Sequence, residues 1–288
     1  MKKTTLFGMM ALLLSTLILF ESCSSGSDED SNTGNSEIPY ANKDKKLQRI
    51  VCNVAHEPPY EEINYFTFEY DKDVLTNIHS VWHSFDERGN RYVDETESIT
   101  FIRADVAIIM WNKETHSRTE IAPLVNGRAA SMTHKKCIFH YDDIGRLAEV
   151  ESDWGGLMKL TWDGNNIKRF DYGYGSDNYS IEYTYTKHKA RQLQYYFVFN
   201  PLGDNDFLDC LDEGALFYTG ACGPLSENLP SQVVYKKNGV VFYTNSFQYI
   251  VDSSGYPIDA LLSTDRDDMV RQWGAGLHGT MHLKITWE

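Results

Sequence analysis

Between Lys136 and Tyr172 the chain alternates apolar and polar residues, breaks at an Asp-containing turn with glycine, leaves as a second apolar run, and then repeats the pattern. Cys137, Phe139 and Tyr141 share one phase of the first run, Asp142-Asp143-Ile144-Gly145 makes the break, and Leu147 to Val150 departs. A period of two is that of a strand with one apolar face. At the break, Asp caps the turn through its side chain and Gly takes the φ > 0 position that closes a type I turn with a bulge. The unit is a β-hairpin, and a chain made of such units folds as an antiparallel meander.

The rest of the chain supplies imperfect copies. Phe85-Asp86-Glu87-Arg88-Gly89 matches Tyr141-Asp142-Asp143-Ile144-Gly145 position for position, and Val251-Asp252-Ser253-Ser254-Gly255 repeats the form with Val in place of the aromatic. Asp71-Lys72-Asp73 after Tyr70 is a tight turn. Asn126-Gly127, Asp163-Gly164 and Asn238-Gly239 are dipeptides that favour the I′ turn between antiparallel strands. Strands fill the intervals: Leu47 to Val54, Phe66 to Tyr70, Val74 to Trp82, Ile99 to Arg103 with Val106 to Trp111, Tyr179 to Tyr185, Phe242 to Val251 and Met281 to Glu288. Leu193 to Phe199 lacks polar alternation and reads as a strand covered on both faces. A helical period is found only over Asp206 to Tyr218, inside a long excursion from Asn200 to Pro230. The fold class is therefore all-β: an antiparallel up-and-down meander of β-hairpin repeats, strongly curved or barrel-like, with one short helix in a long loop.

The N-terminus stands apart. Lys2 and Lys3 precede an apolar run, Leu6 to Phe20, too short and wrongly flanked for a transmembrane helix, so residues 1–22 read as a secretion signal. Ser22 directly before Cys23 resembles the lipobox of bacterial lipoproteins, in which cleavage precedes the cysteine and its thiol is lipidated; ordinary signal cleavage nearby is the alternative. Residues 23–46 form a polar, acidic tether, and 47–288 one β-hairpin-repeat domain. The Asp28–Asp30 cluster resembles the surface-export signal of Bacteroidota lipoproteins, and also reads as a solvated linker. Residues 1–22 hold Lys2, Lys3 and Glu21, so their removal takes the formal charge from −14 to −15. Such a surface argues against nucleic acid and anionic headgroups as partners.

The repeated aromatic-Asp-x-x-Gly turns, Thr161-Trp162-Asp163-Gly164-Asn165, Cys222-Gly223-Pro224-Leu225-Ser226-Glu227-Asn228-Leu229-Pro230-Ser231 and the terminal Ile285-Thr286-Trp287-Glu288 together resemble the DUF4595-type family of Bacteroidota lipoproteins. The likeness covers most of residues 45–288. It implies a curved or barrel-closed meander and supplies no catalytic residues to carry over. The hairpin unit is also similar, more loosely, to the YD repeat of Rhs-type proteins, with Tyr-Asp intact at Tyr70-Asp71 and Tyr141-Asp142.

Chemistry finds little support. His79 and His83, like His278 and His282, are four apart, about 13 Å on a strand, too far to share a metal unless the backbone bends. Asp204, Asp206, Asp209, Asp212 and Glu213 crowd oxygen ligands into the excursion without the order of a calcium loop. Asp265, Asp267 and Asp268 read as a solvated loop. No Gly-x-Ser-x-Gly elbow anchors a nucleophile. Beyond Cys23, Cys137 is in phase with the apolar face and reads as a buried thiol, whereas Cys210 and Cys222 form the one local pair that a disulfide would join. Among the 18 Tyr, 14 Phe and 6 Trp, most belong to core and cross-strand pairs. Tyr172, Tyr174 and Tyr179 lie in a Gly-rich segment that exposes rings to a glycan or peptide ligand, and that reads equally as a hairpin loop. The expected protein is an outer-membrane lipoprotein of the cell envelope, surface-exposed, held to the membrane through lipid at Cys23, and acting as a non-catalytic binding or structural module without cofactor or metal. The alternative is an envelope hydrolase acting on glycan or peptide.

Overall fold

The computed structural model describes residues 45–55, 61–85, 91–103, 107–112, 117–132, 137–152, 156–193, 215–266 and 279–288. The first strands are β1 (Leu47–Ala55), β2 (Glu61–Asp71), β3 (Val74–Phe85), β4 (Arg91–Arg103), β5 (Ala107–Asn112) and β6 (Ser117–Val125). Two fragments follow, β7 (Arg128–Ala129) and β8 (Ser131–Met132), then β9 (Cys137–Tyr141), β10 (Leu147–Ser152), β11 (Gly156–Asp163), β12 (Asn166–Tyr174) and β13 (Asp177–Lys189). After a long excursion come β14 (Asn228–Lys237), β15 (Val240–Val251), β16 (Pro257–Thr264) and β17 (Gly279–Trp287).

All pairings are antiparallel between chain neighbours, with one addition that closes the sheet: β17 returns to pair with β1, Ile50 opposite Ile285. Lys46 and Glu288 then exchange backbone bonds of 2.7 and 2.9 Å. At β7 and β8 the ladder is carried by Ala130, whose N–H donates to Pro123 O (2.9 Å) and whose carbonyl accepts from Phe139 N (3.0 Å). Turns therefore alternate between two rims. One, called proximal here because β1 starts on it, carries the turns at 72–73, 126–127, 142–146, 164–165 and 252–256. The distal rim carries those at 175–176 and 238–239.

The interior is filled. Along β17, Met281, Leu283 and Ile285 are buried while His282, Lys284 and Thr286 are exposed; on β9, Cys137 and Phe139 are buried while Ile138 and His140 are exposed. Phe68, Phe101, Phe139, Phe170 and Phe247, from staves around the ring, join one apolar cluster. On the outside the staves carry pairs of charge: Lys159 and Glu149 (3.7 Å), Arg169 with Asp171 (2.7 Å) and Glu182 (3.8 Å), Lys236 with Glu182 (2.6 Å), and His282 with Asp259 (3.7 Å).

Curvature has a repeated cause. One extra residue bulges from the strand that leaves a turn: Thr76 in β3, Ala148 in β10, Lys168 in β12, Phe242 in β15 and Ile258 in β16. A bulge bends its strand and increases the local twist. Several ladders stop short of the proximal rim, leaving carbonyls without a ladder partner, and an aromatic head group takes each of five such carbonyls. Tyr141 Oη donates to Ala129 O (2.7 Å), Trp162 Nε1 to Leu147 O (2.9 Å), Tyr185 Oη to Ile167 O (2.6 Å), Tyr249 Oη to Pro230 O (2.8 Å) and Trp287 Nε1 to Pro257 O (2.6 Å). In every case the donor lies three residues beyond the last ladder pair and the acceptor two before it. Tyr70 occupies the same position beyond Thr67 and meets Gln192 Oε1 at 3.4 Å. Tyr141, the aromatic of the Asp142–Gly145 turn motif, is thus a latch between neighbouring staves, and Trp162, Tyr185, Tyr249 and Trp287 act alike.

The turn chemistry follows the sequence closely. Gly145 (φ 81°) and Gly255 (φ 80°) close matching turns in which Asp142 Oδ1 accepts from Ile144 N and Arg146 N, and Asp252 Oδ1 from Ser254 N and Tyr256 N. Asn126-Gly127 and Asn238-Gly239 have φ > 0 at both residues, as a I′ turn requires. At Asp163-Gly164 the expectation is one residue early: Asp163 pairs with Asn166, so Gly164-Asn165 forms the turn, with φ > 0 at Gly164 (56°).

Other expectations change at the excursion. Leu193 lies in a 3₁₀ turn, Arg191–Leu193, entered through Arg191 at φ 56°, and not in a strand; 194–199 fall outside the described residues. The helix is the single turn α1 (Ala215–Tyr218). Pro230 belongs to β14, where the ladder to β13 shifts register and tolerates a residue without an N–H. What is described of the excursion lies on the proximal rim: Gln192 Oε1 accepts from Leu47 N (2.6 Å), Ala221 O from Ala129 N (2.8 Å), and Asn165 O from Glu227 N (3.0 Å). Cys222 is a buried thiol there, Cys137 is buried as expected, and Cys210 falls outside the described residues. The Phe85–Gly89 turn also falls largely outside them.

Candidate functional site

At the distal rim two hairpins lean on one another. Gly175 (φ 60°) turns β12 into β13, and Asn238-Gly239 turns β14 into β15. Asn238 binds the first hairpin three ways: its N–H donates to Asn178 O (2.7 Å), its Oδ1 accepts from Asn178 N (2.9 Å), and its Nδ2 donates to Asp177 Oδ1 (2.8 Å). Lys237 Nζ pairs with Asp177 Oδ2 at 2.7 Å and sits 5.6 Å from the centre of the Tyr179 ring. The Lys237 ammonium and the Asn238 amide hold the Asp177 carboxyl below the usual range.

Tyr172 and Tyr179 are a cross-strand pair, both half-buried and facing inward, with rings stacked at 5.1 Å and 10°. Tyr174 ends β12 opposite Asp177, and its side chain is outside the described residues. Deeper in, Tyr235 and Tyr243 stack at 4.1 Å on neighbouring staves, and the Arg266 guanidinium lies 5.4 Å from the Tyr243 ring centre. Phe242, displaced outward by its bulge and 64% exposed, touches the edge of Tyr243. Burial pushes the phenols of Tyr183 and Tyr243 well above their ordinary range, so both stay neutral. Below them Asn245 is fully buried.

Sequence reasoning singled out Tyr172 and Tyr179 and missed Tyr183, Tyr235, Tyr243, Asn245 and Arg266. A signal was present: Asn245 stands in the apolar phase of β15, between Tyr243 and Phe247. Cys23, His278 and the acidic run from Asp204 to Glu213 lie outside the described residues. Among the described residues no cluster of His, Cys, Asp or Glu could hold a metal ion. A concavity of about 490 Å³ lies on the proximal rim, lined by Lys46, Gln48, Glu69, Tyr70, Lys72 and Glu288. Its charges are mixed, and Lys46 there already pairs with Asp73. The distal rim is the candidate binding surface: the half-buried Tyr172–Tyr179 pair and the fixed polar groups of Asp177, Lys237 and Asn238 suit recognition by ring contact and hydrogen bonding.

Models of known protein families give no match to this chain, and neither do curated proteins. Among solved structures it is similar to a porin-like protein from Bacteroides uniformis (11% identity, 84% of this chain and 98% of that one, TM-score 0.60). A porin-like protein from Bacteroides vulgatus (12% identity, 84% and 98% covered) and a domain from Vibrio parahaemolyticus described as a putative outer membrane lipoprotein-sorting protein (7%, 85% and 84%) align with TM-scores of 0.29 and 0.25. The first likeness is one of fold: the closed antiparallel meander has a solved counterpart.

Proposed function

We propose that this chain is a DUF4595-type envelope lipoprotein, tethered by lipid at Cys23, whose barrel is a non-catalytic binding module. One observation carries the reading. The described chain begins at the proximal rim, where Lys45 pairs with Asp252 (2.6 Å), while the Tyr172–Tyr179 pair and the Lys237–Asp177 ion pair lie on the other rim.

The fold likeness to a porin-like protein supports an envelope setting, but the physics here favours a tethered barrel over an inserted one. Lys159, Arg169, Lys236 and Lys284 lie on the outward phase of their strands. On the lipid-facing side of an inserted barrel such cations would be destabilising, by about 2–4 kcal/mol each at the bilayer midplane and less toward its interfaces. The interior, packed with apolar side chains, has the character of a globular core and not of a conduit. The test is metabolic labelling with a palmitate analogue in wild type and Cys23→Ala, followed by glycan and peptide arrays on the mature protein. Labelling that depends on Cys23, with array binding, is the expected result; unchanged labelling in Cys23→Ala would sink the anchor.

A further inference from the structure

At the proximal rim β1 and β2 part. Their ladder ends on Arg49 opposite Thr67, although β1 starts at Leu47 and β2 runs on to Asp71. Gln48 bulges from β1 where it pairs with β17, and Leu47 N–H donates to Gln192 Oε1 (2.6 Å) and not to β2. Residues of both strands line the concavity of about 490 Å³ found there, a volume within the range of about 300–1,000 Å³ usual for small-ligand clefts. Gln48, Glu69, Lys72 and Glu288 on its walls are exposed, which gives access from solvent.

The carboxylate of Glu69 is positioned and left charged. Asn77, itself buried, donates from Nδ2 to Glu69 Oε2 (3.1 Å), and its Oδ1 accepts from Ser98 Oγ (3.2 Å) and Thr100 Oγ1 (3.4 Å). An amide held from both ends thus fixes Glu69 without neutralising it, and Glu69 Oε1 has no bond among the described residues. Lys46 is fixed in turn: its Nζ donates to Lys72 O, lies 3.4 Å from Asp73 Oδ1 and 5.7 Å from the centre of the Tyr70 ring. Lys72 Nζ meets no carboxylate among the described residues, and neither lysine pairs with Glu69 or Glu288. Opposite charges therefore share one concavity without meeting across it.

We propose that this concavity binds the zwitterion of a short peptide, a dipeptide in size, with its ammonium on Glu69 Oε1 and its carboxylate on Lys72 Nζ. A ligand with a single charge meets both signs here. An anion faces Glu69 and Glu288 within a chain of formal charge −14, and a cation faces Lys46 and Lys72. A ligand carrying both charges satisfies both walls, through the charge-assisted hydrogen bonds that are the strong ones. The Gln48 amide and the Thr67 hydroxyl lie on the same walls and supply donors and acceptors for a peptide group. A sugar would leave Glu69 and Lys72 unpaired. The site is separate from the distal rim and does not rest on its reading as the binding surface.

Saturation-transfer NMR titration of the mature full chain tests it, with dialanine as probe. N-acetyl-dialanine lacks the ammonium, dialanine amide lacks the carboxylate, and phosphoethanolamine is a zwitterion without a peptide group; these three are the comparisons. The dialanine methyl protons should receive saturation, and each comparison should bind about tenfold more weakly or worse. Glu69→Gln and Lys72→Gln, both on exposed side chains, should each weaken dialanine by about tenfold or more while the melting temperature stays level. No saturation of dialanine, equal binding of either blocked form, preference for phosphoethanolamine, or undiminished dialanine binding by both variants overturns the proposal. Any of these results leaves the distal-rim reading to be decided by the arrays.

Discussion

Gly145 and Gly255 form a matched pair that separates backbone strain from packing. Both sit at φ near 80°, closing turns with the same hydrogen bonds. A Cβ on Gly255 would meet nothing within 4 Å, whereas one on Gly145 would lie 1.6 Å from Arg128 Nη1. Gly255→Ala should therefore cost only the left-handed backbone penalty, about 1–2 kcal/mol. Gly145→Ala adds displacement of the Arg128 guanidinium, which stacks 5.6 Å from the Tyr141 ring centre. That stacking is worth about 0.5–2 kcal/mol. Melting curves by circular dichroism should show the difference at roughly 2–4 °C per kcal/mol. In an Arg128→Ala background the two substitutions should cost the same, as a double-mutant cycle would register. Equal losses in the wild-type background would refute the argument.

Three further outcomes are expected. Tyr185 Oη bonds both Ile167 O and Ser226 Oγ at 2.6 Å, and Ser226 is fully buried; Tyr185→Phe should destabilise by about 1–3 kcal/mol for each group left without a partner, measured by urea unfolding, and a neutral result would remove the latch as a stabilising device. Asp142 is held below the usual carboxylate range: partial burial works against its charge but is outweighed by the Arg146 N–H, the Arg146 guanidinium and the Ile144 N–H; for Asp252 the cause is the Lys45 ammonium, then the Tyr256 N–H. Because both folded values are depressed, their contribution is present above the unfolded value of about 4 and fades as pH falls through the folded values. The melting temperature should drop below about pH 4, less steeply in Asp142→Asn with Asp252→Asn, and an unchanged slope would contradict the assignment. Cys222 is 1% exposed and burial pushes its thiol up, so it should resist Ellman's reagent until the protein unfolds; rapid native labelling at Cys222 would show that the excursion does not seal the proximal rim.

The turns were legible because Asp, Asn and Gly act on their own neighbours. Asp142 and Gly145 satisfy one another's backbone within five residues, and Asn238-Gly239 needs only its own dihedral angles. The Gly164 turn slipped by one because a lone Asp-Gly dipeptide does not state which residue pairs across the hairpin. Features that depend on distant partners were not legible. Tyr185 is visible as an aromatic, but its acceptor is the Ile167 carbonyl on the previous stave, left free by the bulge at Lys168. Nothing local in Leu47 or Trp287 announces that they close the ring. The glycines around Tyr172 and Tyr179 suggest bare rings, but the cross-strand register turns both rings inward and stacks them. Asn245 was readable as a polar residue out of phase, although its lack of partners emerges only from the packing on neighbouring staves.

The proposed arrangement is a filled barrel held at the membrane by lipid and not inserted in it. Carbonate extraction of membranes from cells expressing wild type or Cys23→Ala, each with its signal peptide, tests that claim most directly. Wild type should remain in the membrane pellet, and Cys23→Ala should appear in the supernatant as a folded β protein without detergent. Cys23→Ala that stays in the pellet and needs detergent for release would contradict the tether and mark the barrel itself as the membrane-embedded part.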